Sequence, residues 1–145
     1  MKKMILTLAI AVSTLSAFAG EGDVNQKVLD AFKTEFSTAK EVEWSTGQNY
    51  YRATFIYNDK YVFAYYNVNG ELLGLTRHIS PADLPISLQK NLKRDYKGYW
   101  VSDLFEVAKN DESGYYITLE NADTRLILKT SDIYVWSVYQ KIKKT

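Results

Sequence analysis

Within residues 25–36 the apolar side chains Val28, Leu29, Phe32 and Phe36 recur at steps of three and four, which sets them on one face of a helix. The period then changes to two. Val42 and Trp44 alternate with Glu41 and Glu43, and Tyr51, Ala53 and Phe55 alternate with Arg52 and Thr54, the pattern of half-buried strands. Asn58-Asp59 reads as a tight turn into a strand over 61–67. Asn69-Gly70 reads as a second turn, ahead of a strand over 72–79, because both residue types tolerate positive φ. A helix followed by an antiparallel meander is the expected result.

The same order then returns. Pro85 suits a first helical turn, and Leu88, Leu92 and Tyr96 at four-residue spacing predict a helix over 85–96 that Gly98 ends. Strand patterns follow over 100–108, 115–121, 124–129 and 134–139, with turns at 110–114 and 121–123. A shift of 60 residues sets Val28, Phe32 and Phe36 on Leu88, Leu92 and Tyr96; a shift of 64 sets Thr54, Phe55 and Asp59 on Thr118, Leu119 and Asp123. Agreement in residue type as well as order predicts an internal duplication, one unit over about 24–80 and the other over about 81–140, joined at 80–85. The plainer alternative is that any α+β chain repeats itself coarsely. The expected fold class is α+β: two tandem helix-plus-antiparallel-meander repeats forming one twisted sheet, with both helices on one face and the other face open.

Ahead of this domain, Lys2 and Lys3 precede a short apolar run over 5–15, and Ala17-Phe18-Ala19 has the small-x-small pattern read by signal peptidase. Residues 1–19 are therefore expected to be a signal peptide cut between Ala19 and Gly20. Ser13, Thr14 and Ser16 interrupt the run, so it is short for a membrane anchor. A single domain over 20–145, periplasmic or secreted and without a membrane anchor, is the expectation.

Composition narrows the chemistry. The chain has 145 residues, no cysteine and one histidine, His78, which excludes thiolate nucleophiles, disulfides, cysteine-ligated zinc and any mechanism needing two imidazoles. A formal charge of +1 gives no basic footprint for nucleic acid. The carboxylates Asp23, Glu35, Glu41, Glu43, Asp103 and Glu106 make pairs on paper, yet nothing in the sequence brings two into a cleft. Asp59, Asn67, Asn69 and Glu71 lack the dense acidic spacing of a calcium loop. No catalytic residue, metal or cofactor is expected.

Helix, then Val42-Glu43-Trp44, Tyr51-Arg52-Ala53-Thr54-Phe55, the stretch from Ala64-Tyr65-Tyr66 through Asn69-Gly70 to Leu72, and Leu84-Pro85 opening a second helix: this succession resembles the secreted PepSY-like proteins, also called beta-lactamase-inhibitor-like proteins. The likeness runs from Val24 to about Tyr139 and lies in the order of elements, not in catalytic residues. It implies a small exported envelope protein with two helix-plus-sheet repeats, docking onto or inhibiting an extracytoplasmic protein or enzyme. The second half departs from the pattern, with Asp132-Ile133-Tyr134 where the first has Asn69-Gly70.

Strand alternation also names a face. If Tyr51, Ala53 and Phe55 point to the helices, Arg52 and Thr54 point away, as do Tyr61, Phe63 and Tyr65 of the next strand. The repeat carries this parity to Tyr116, Thr118, Arg125, Ile127 and Lys129. The candidate partner-binding set is thus Arg52, Tyr61, Phe63, Tyr65, Tyr116, Arg125, Ile127 and Lys129, since tyrosine with arginine is the composition of protein-binding surfaces. The competing account is cross-strand packing of good strand formers. Trp44 shares the inward parity and reads as core, His78 as a surface residue, and Lys141, Lys143 and Lys144 as a solvated tail. The leading function is a non-catalytic binding or inhibitory module of the envelope; the alternative is a structural or housekeeping envelope protein without a specific partner. The sequence leaves the oligomeric state open.

Overall fold

Asn25 opens the first helix because its side chain meets donors and acceptors the backbone leaves over: Oδ1 accepts from the Val28 N–H at 3.1 Å, and Nδ2 donates to the Val68 carbonyl at 2.6 Å. The structure, a computed structural model, describes residues 17–110 and 112–145. Helix α1 runs Gln26–Glu35 and ends at Phe36. Helix α2 runs Ile86–Asp95, flanked by Pro85 and Tyr96; Gln89 Nε2 donates to the Leu84 carbonyl at 2.8 Å and ties its first turn to the connection before it. Both predicted helices are in place.

Among the described residues the strands form one antiparallel sheet in which spatial order equals sequence order. They are β1 (Ala17–Ala19), β2 (Lys40–Thr46), β3 (Tyr51–Tyr57), β4 (Lys60–Tyr66), β5 (Leu72–His78), β6 (Trp100–Lys109), β7 (Glu112–Glu120), β8 (Thr124–Thr130) and β9 (Ser137–Lys143). The β3–β4 hairpin closes as expected through Asn58 and Asp59, at φ 50° and 62°, the mirror-image turn that matches strand twist. Gly70 sits at φ 81°, and a Cβ there would lie 2.7 Å from the Lys27 carbonyl oxygen, so this turn rests directly on the start of α1.

Three expectations change. The β6–β7 turn is tighter than 110–114: Lys109 already pairs with Glu112, because Asn110 takes the left-handed φ of 50° that a two-residue hairpin needs. Gly114 is then in the ladder opposite Val107, where a Cβ would come within 2.5 Å of the Thr130 carbonyl oxygen. The last strand starts at Ser137, not near 134, since the Asp132 carboxylate accepts from the Tyr134 and Val135 N–H groups at 2.7 and 3.0 Å and holds 131–136 as a turn over α2. Trp136 Nε1 donates to the Leu88 carbonyl from that segment at 3.2 Å. Lys141 and Lys143 consequently belong to β9, and Lys144 bonds the Asn121 carbonyl at 2.8 Å, so the end is no free tail. Residues 17–19, expected at the end of the signal peptide, form β1 against β2; residues 1–16 of that segment lie outside the described residues.

The core lies between the helices and one face of the sheet. Phe32 meets Trp44 and Phe55 edge-on, ring centroids 5.3 and 5.0 Å apart, within a cluster that includes Val28, Leu29, Ala53, Ala64 and Tyr66. Under α2 the cluster is aliphatic: Leu84, Leu88, Leu104, Ile117, Leu119, Leu126 and Leu128. Leu92 of α2 is half-buried, whereas Phe32 of α1 is buried. Ala64 lies opposite Leu75 and Leu75 opposite Ala108, which puts 104, 106 and 108 on the side of Ala64. Both helices therefore cover the same face, as expected.

Candidate binding face

Register fixes which side chains share the opposite, open face. Arg52 is opposite Tyr65, Thr54 opposite Phe63 and Ile56 opposite Tyr61; Phe63 is opposite Thr76, His78 opposite Phe105 and Phe105 opposite Tyr116. Tyr116, Thr118 and Glu120 in turn face Lys129, Ile127 and Arg125. All eight candidate residues are on this face.

Aromatic contacts join the strands into one row. The Arg52 guanidinium stands 5.4 Å from the Phe63 ring centroid and its Nε donates to Ser45 Oγ at 3.1 Å. Phe63 meets the His78 ring at 5.7 Å, His78 meets Phe105 at 6.2 Å, and Phe105 stacks on Tyr116 at 5.4 Å with the planes 7° apart. Tyr139 ends the row, edge-on to Tyr116 at 5.7 Å and beneath Lys129 Nζ at 5.1 Å. Offset and edge-on rings are the favoured geometries, and each pair adds about 0.5–1.5 kcal/mol beyond its buried area.

The row is partly sunk into the molecule. Tyr65 is 6% exposed and Phe105 7%; Tyr65 packs on the Tyr50 ring at 5.6 Å. Phe63, Tyr116, Ile127 and Lys129 are half-buried, and Tyr61, at 60%, stands outside the row near the hairpin. A concavity of about 600 Å³ opens beside Tyr116 and Lys129, walled by Val107, Gly114 and Ser137. Arg125 is held away from the row by Glu120, Nε to Oε1 3.2 Å.

Charge on this face is asymmetric. His78 Nδ1 lies 3.1 Å from Asp103 Oδ1, the imidazole 63% exposed and the carboxylate 21%. Glu120 takes hydrogen bonds from Ser102, Lys144 and Arg125, which hold its carboxyl down at about 2. Burial first, and then Tyr139, pushes the Tyr116 phenol up. Among the described residues no group of three potential metal ligands comes together. The face thus carries rings and a hollow beside the half-buried cations Arg52 and Lys129 and the carboxylates Asp103 and Glu120.

Sequence reasoning missed Phe105, Tyr139 and the part played by His78. Phe105 follows Leu104 by one residue, so parity alone places it on the open face once Leu104 is known to be core. Trp44 is core, at 5% exposure, whereas Trp100 is 54% exposed beneath Lys144 Nζ at 4.9 Å.

No protein-family model and no curated protein sequence matches the chain. Solved structures match its fold. A DUF2874 family protein from Bacteroides uniformis aligns at 17% identity over 82% of this chain and 88% of its own, TM-score 0.71. A BLIP-like protein from Bacteroides fragilis aligns at 17% identity over 82% and 85%, TM-score 0.68, and a periplasmic-protein candidate from Bacteroides eggerthii at 14% over 83% and 88%, TM-score 0.70. Among the described residues no helix is long and apolar enough to cross a membrane. Over four-fifths of its length, then, the chain has the fold of the BLIP-like and DUF2874 proteins of Bacteroides.

Proposed function

We propose that this protein is an exported, non-catalytic module that binds another extracytoplasmic protein through the open face of its sheet, released by cleavage between Ala19 and Gly20. The observation that carries the reading is the unbroken row Arg52, Phe63, His78, Phe105, Tyr116, Tyr139 and Lys129 on the face the helices leave uncovered. The likeness in fold to a protein called BLIP-like lends support. The duplication and the PepSY likeness belong to the same proposal; the two halves share the order helix then four strands and a bulge near the start of β2 and β6.

The test uses the chain from Gly20 as bait on envelope extract, beside Phe63→Ala and Tyr116→Ala. One dominant protein is expected, with each variant weakening its capture by about 1 kcal/mol or more, as anchors at interface centres do. Burial of Tyr65 and Phe105 favours a second reading, in which the rings serve only to hold the sheet. Reproducible capture of nothing, or of proteins indifferent to both variants, selects that reading.

A further inference from the structure

β1 lies antiparallel on the outer edge of β2, Ala17 opposite Thr46, Phe18 opposite Ser45 and Ala19 opposite Trp44, so that edge accepts an added strand. In a chain beginning at Gly20 the outer side of 44–46 is bare, and a bare edge is a template for another strand. The joint at the middle of the molecule indicates what fits it. There β5, last strand of the first half, pairs antiparallel with β6, first strand after α2. β2 follows α1 as β6 follows α2: β2 is bulged between Lys40 and Glu43, and β6 between Val101 and Asp103. Trp44 and Leu104 are buried in the helix-side clusters, and Ser45 and Phe105 are buried one residue on. β9 closes the second half as β5 closes the first.

Charge follows the same division. At the internal joint the last strand supplies the nitrogen and the first strand the carboxylate: Arg77 Nε lies 2.5 Å from Glu106 Oε2, and His78 Nδ1 is paired with Asp103. At the outer edges β9 carries exposed Lys141 and Lys143, and β2 carries exposed Glu41 and Glu43, with Lys40 at its start. Two β2 edges set side by side bring like carboxylates together and two β9 edges bring lysines together, whereas β9 on β2 brings edges of opposite charge within screening distance, Glu43 on the open side opposite Thr54 and Lys141 on the helix side opposite Leu126. Strand directions agree as well. In an antiparallel meander β2 and β9 run oppositely, so a second copy in the same orientation lays its β9 antiparallel to β2 and keeps its helices on the same face.

We propose that copies freed of residues 1–19 associate head to tail, β9 of one pairing with the β2 edge of the next, and that Ala17–Ala19 occupies this site until it is removed. The contact is heterologous, so it builds open rows or closed rings and not a two-fold dimer. It leaves the open face free and does not depend on what that face binds.

Sedimentation over a concentration series tests it with a chain made to start at Gly20, which makes the result independent of where a peptidase cuts. That chain associates, less so at high salt, and a chain starting at Ser16, which keeps β1, associates about tenfold more weakly or not at all. Glu41→Lys with Glu43→Lys lowers association by roughly tenfold, since attraction between the two oppositely charged edges becomes repulsion; Lys141→Glu with Lys143→Glu does the same, and mixing the two double variants restores it. Circular dichroism checks each variant, and Glu41→Gln with Glu43→Gln replaces a reversal that unfolds. A Gly20 chain that stays monomeric throughout, association indifferent to the charge changes, or a closed two-fold dimer overturns the proposal.

Discussion

Tyr66 offers the sharpest test of the core. Its side chain is fully buried, its ring lies 6.5 Å from that of Trp44, and its hydroxyl has no hydrogen-bond partner among the described residues. Burial, with the Glu35 carboxylate adding to it, pushes the phenol well above its usual range. Tyr66→Phe removes one oxygen and leaves the ring. An unsatisfied buried hydroxyl costs about 1–3 kcal/mol, whereas a gap of roughly 10–15 Å³ costs about 0.3 kcal/mol at about 24 cal/mol per Å³. The variant should therefore be more stable by about 1–2 kcal/mol, which for a domain of this size raises Tm by roughly 3–6 °C per kcal/mol. Urea unfolding at neutral pH reads it as a higher midpoint with unchanged slope. A second reading comes from alkaline pH: the unfolded phenol ionises near 10, the folded one higher, so wild type loses stability as pH rises past about 10 and Tyr66→Phe lacks that share of the loss. Destabilisation by more than about 0.5 kcal/mol would refute the reasoning, because it would mean the hydroxyl is satisfied.

Phe32→Ala should cost about 3–5 kcal/mol and Leu92→Ala distinctly less, since only the first is fully enclosed; equal losses by chemical denaturation would show that the two halves bury their helices alike. On the open face Tyr65→Ala should destabilise by at least about 2 kcal/mol while Phe63→Ala costs less, and thermal melts that rank them the other way would contradict the burial order. The Glu120 carboxyl should titrate near 2 by NMR, against about 4.3 in an unfolded chain. Its pairing therefore stabilises the fold above about pH 4.3 and is lost as pH falls toward 2. A folded-state midpoint near 4, or an acid-unfolding curve unchanged in Glu120→Gln, would count against it.

Much of this molecule is legible without coordinates because its local signals agree. The spacing of Val28, Leu29, Phe32 and Phe36 marks the first helix, Pro85 marks the start of the second by its ring, and Asn58-Asp59 specifies a hairpin by its backbone preference; each works within a few residues of itself. The parity of Arg52, Phe63 and Lys129 follows from alternation alone. What escaped depends on register between strands distant in sequence. His78 reads as a lone surface imidazole until the β5–β6 joint puts it against Phe105 and Asp103, and no pattern within either strand encodes that pairing. The delayed start of β9 has a different origin, since the Asp132 side chain competes with the ladder for the N–H groups of Tyr134 and Val135.

The strict sequence-order meander also bears on how the chain reaches its native state. Every strand finds its partner one hairpin away, apart from the β1–β2 step across α1 and the β5–β6 step across α2. Sheets assembled from near neighbours close short loops first and so fold faster than Greek-key sheets of equal size. A chain delivered from its N-terminus can complete α1 with β2 to β5, a unit with its own aromatic cluster, before β6 emerges, and each later strand then zips onto a finished edge. The step expected to be slowest after α1 with β2 to β5 is the docking of β6 on β5, and mutations at Arg77 or Glu106 should alter the folding rate more than those at the outer hairpins.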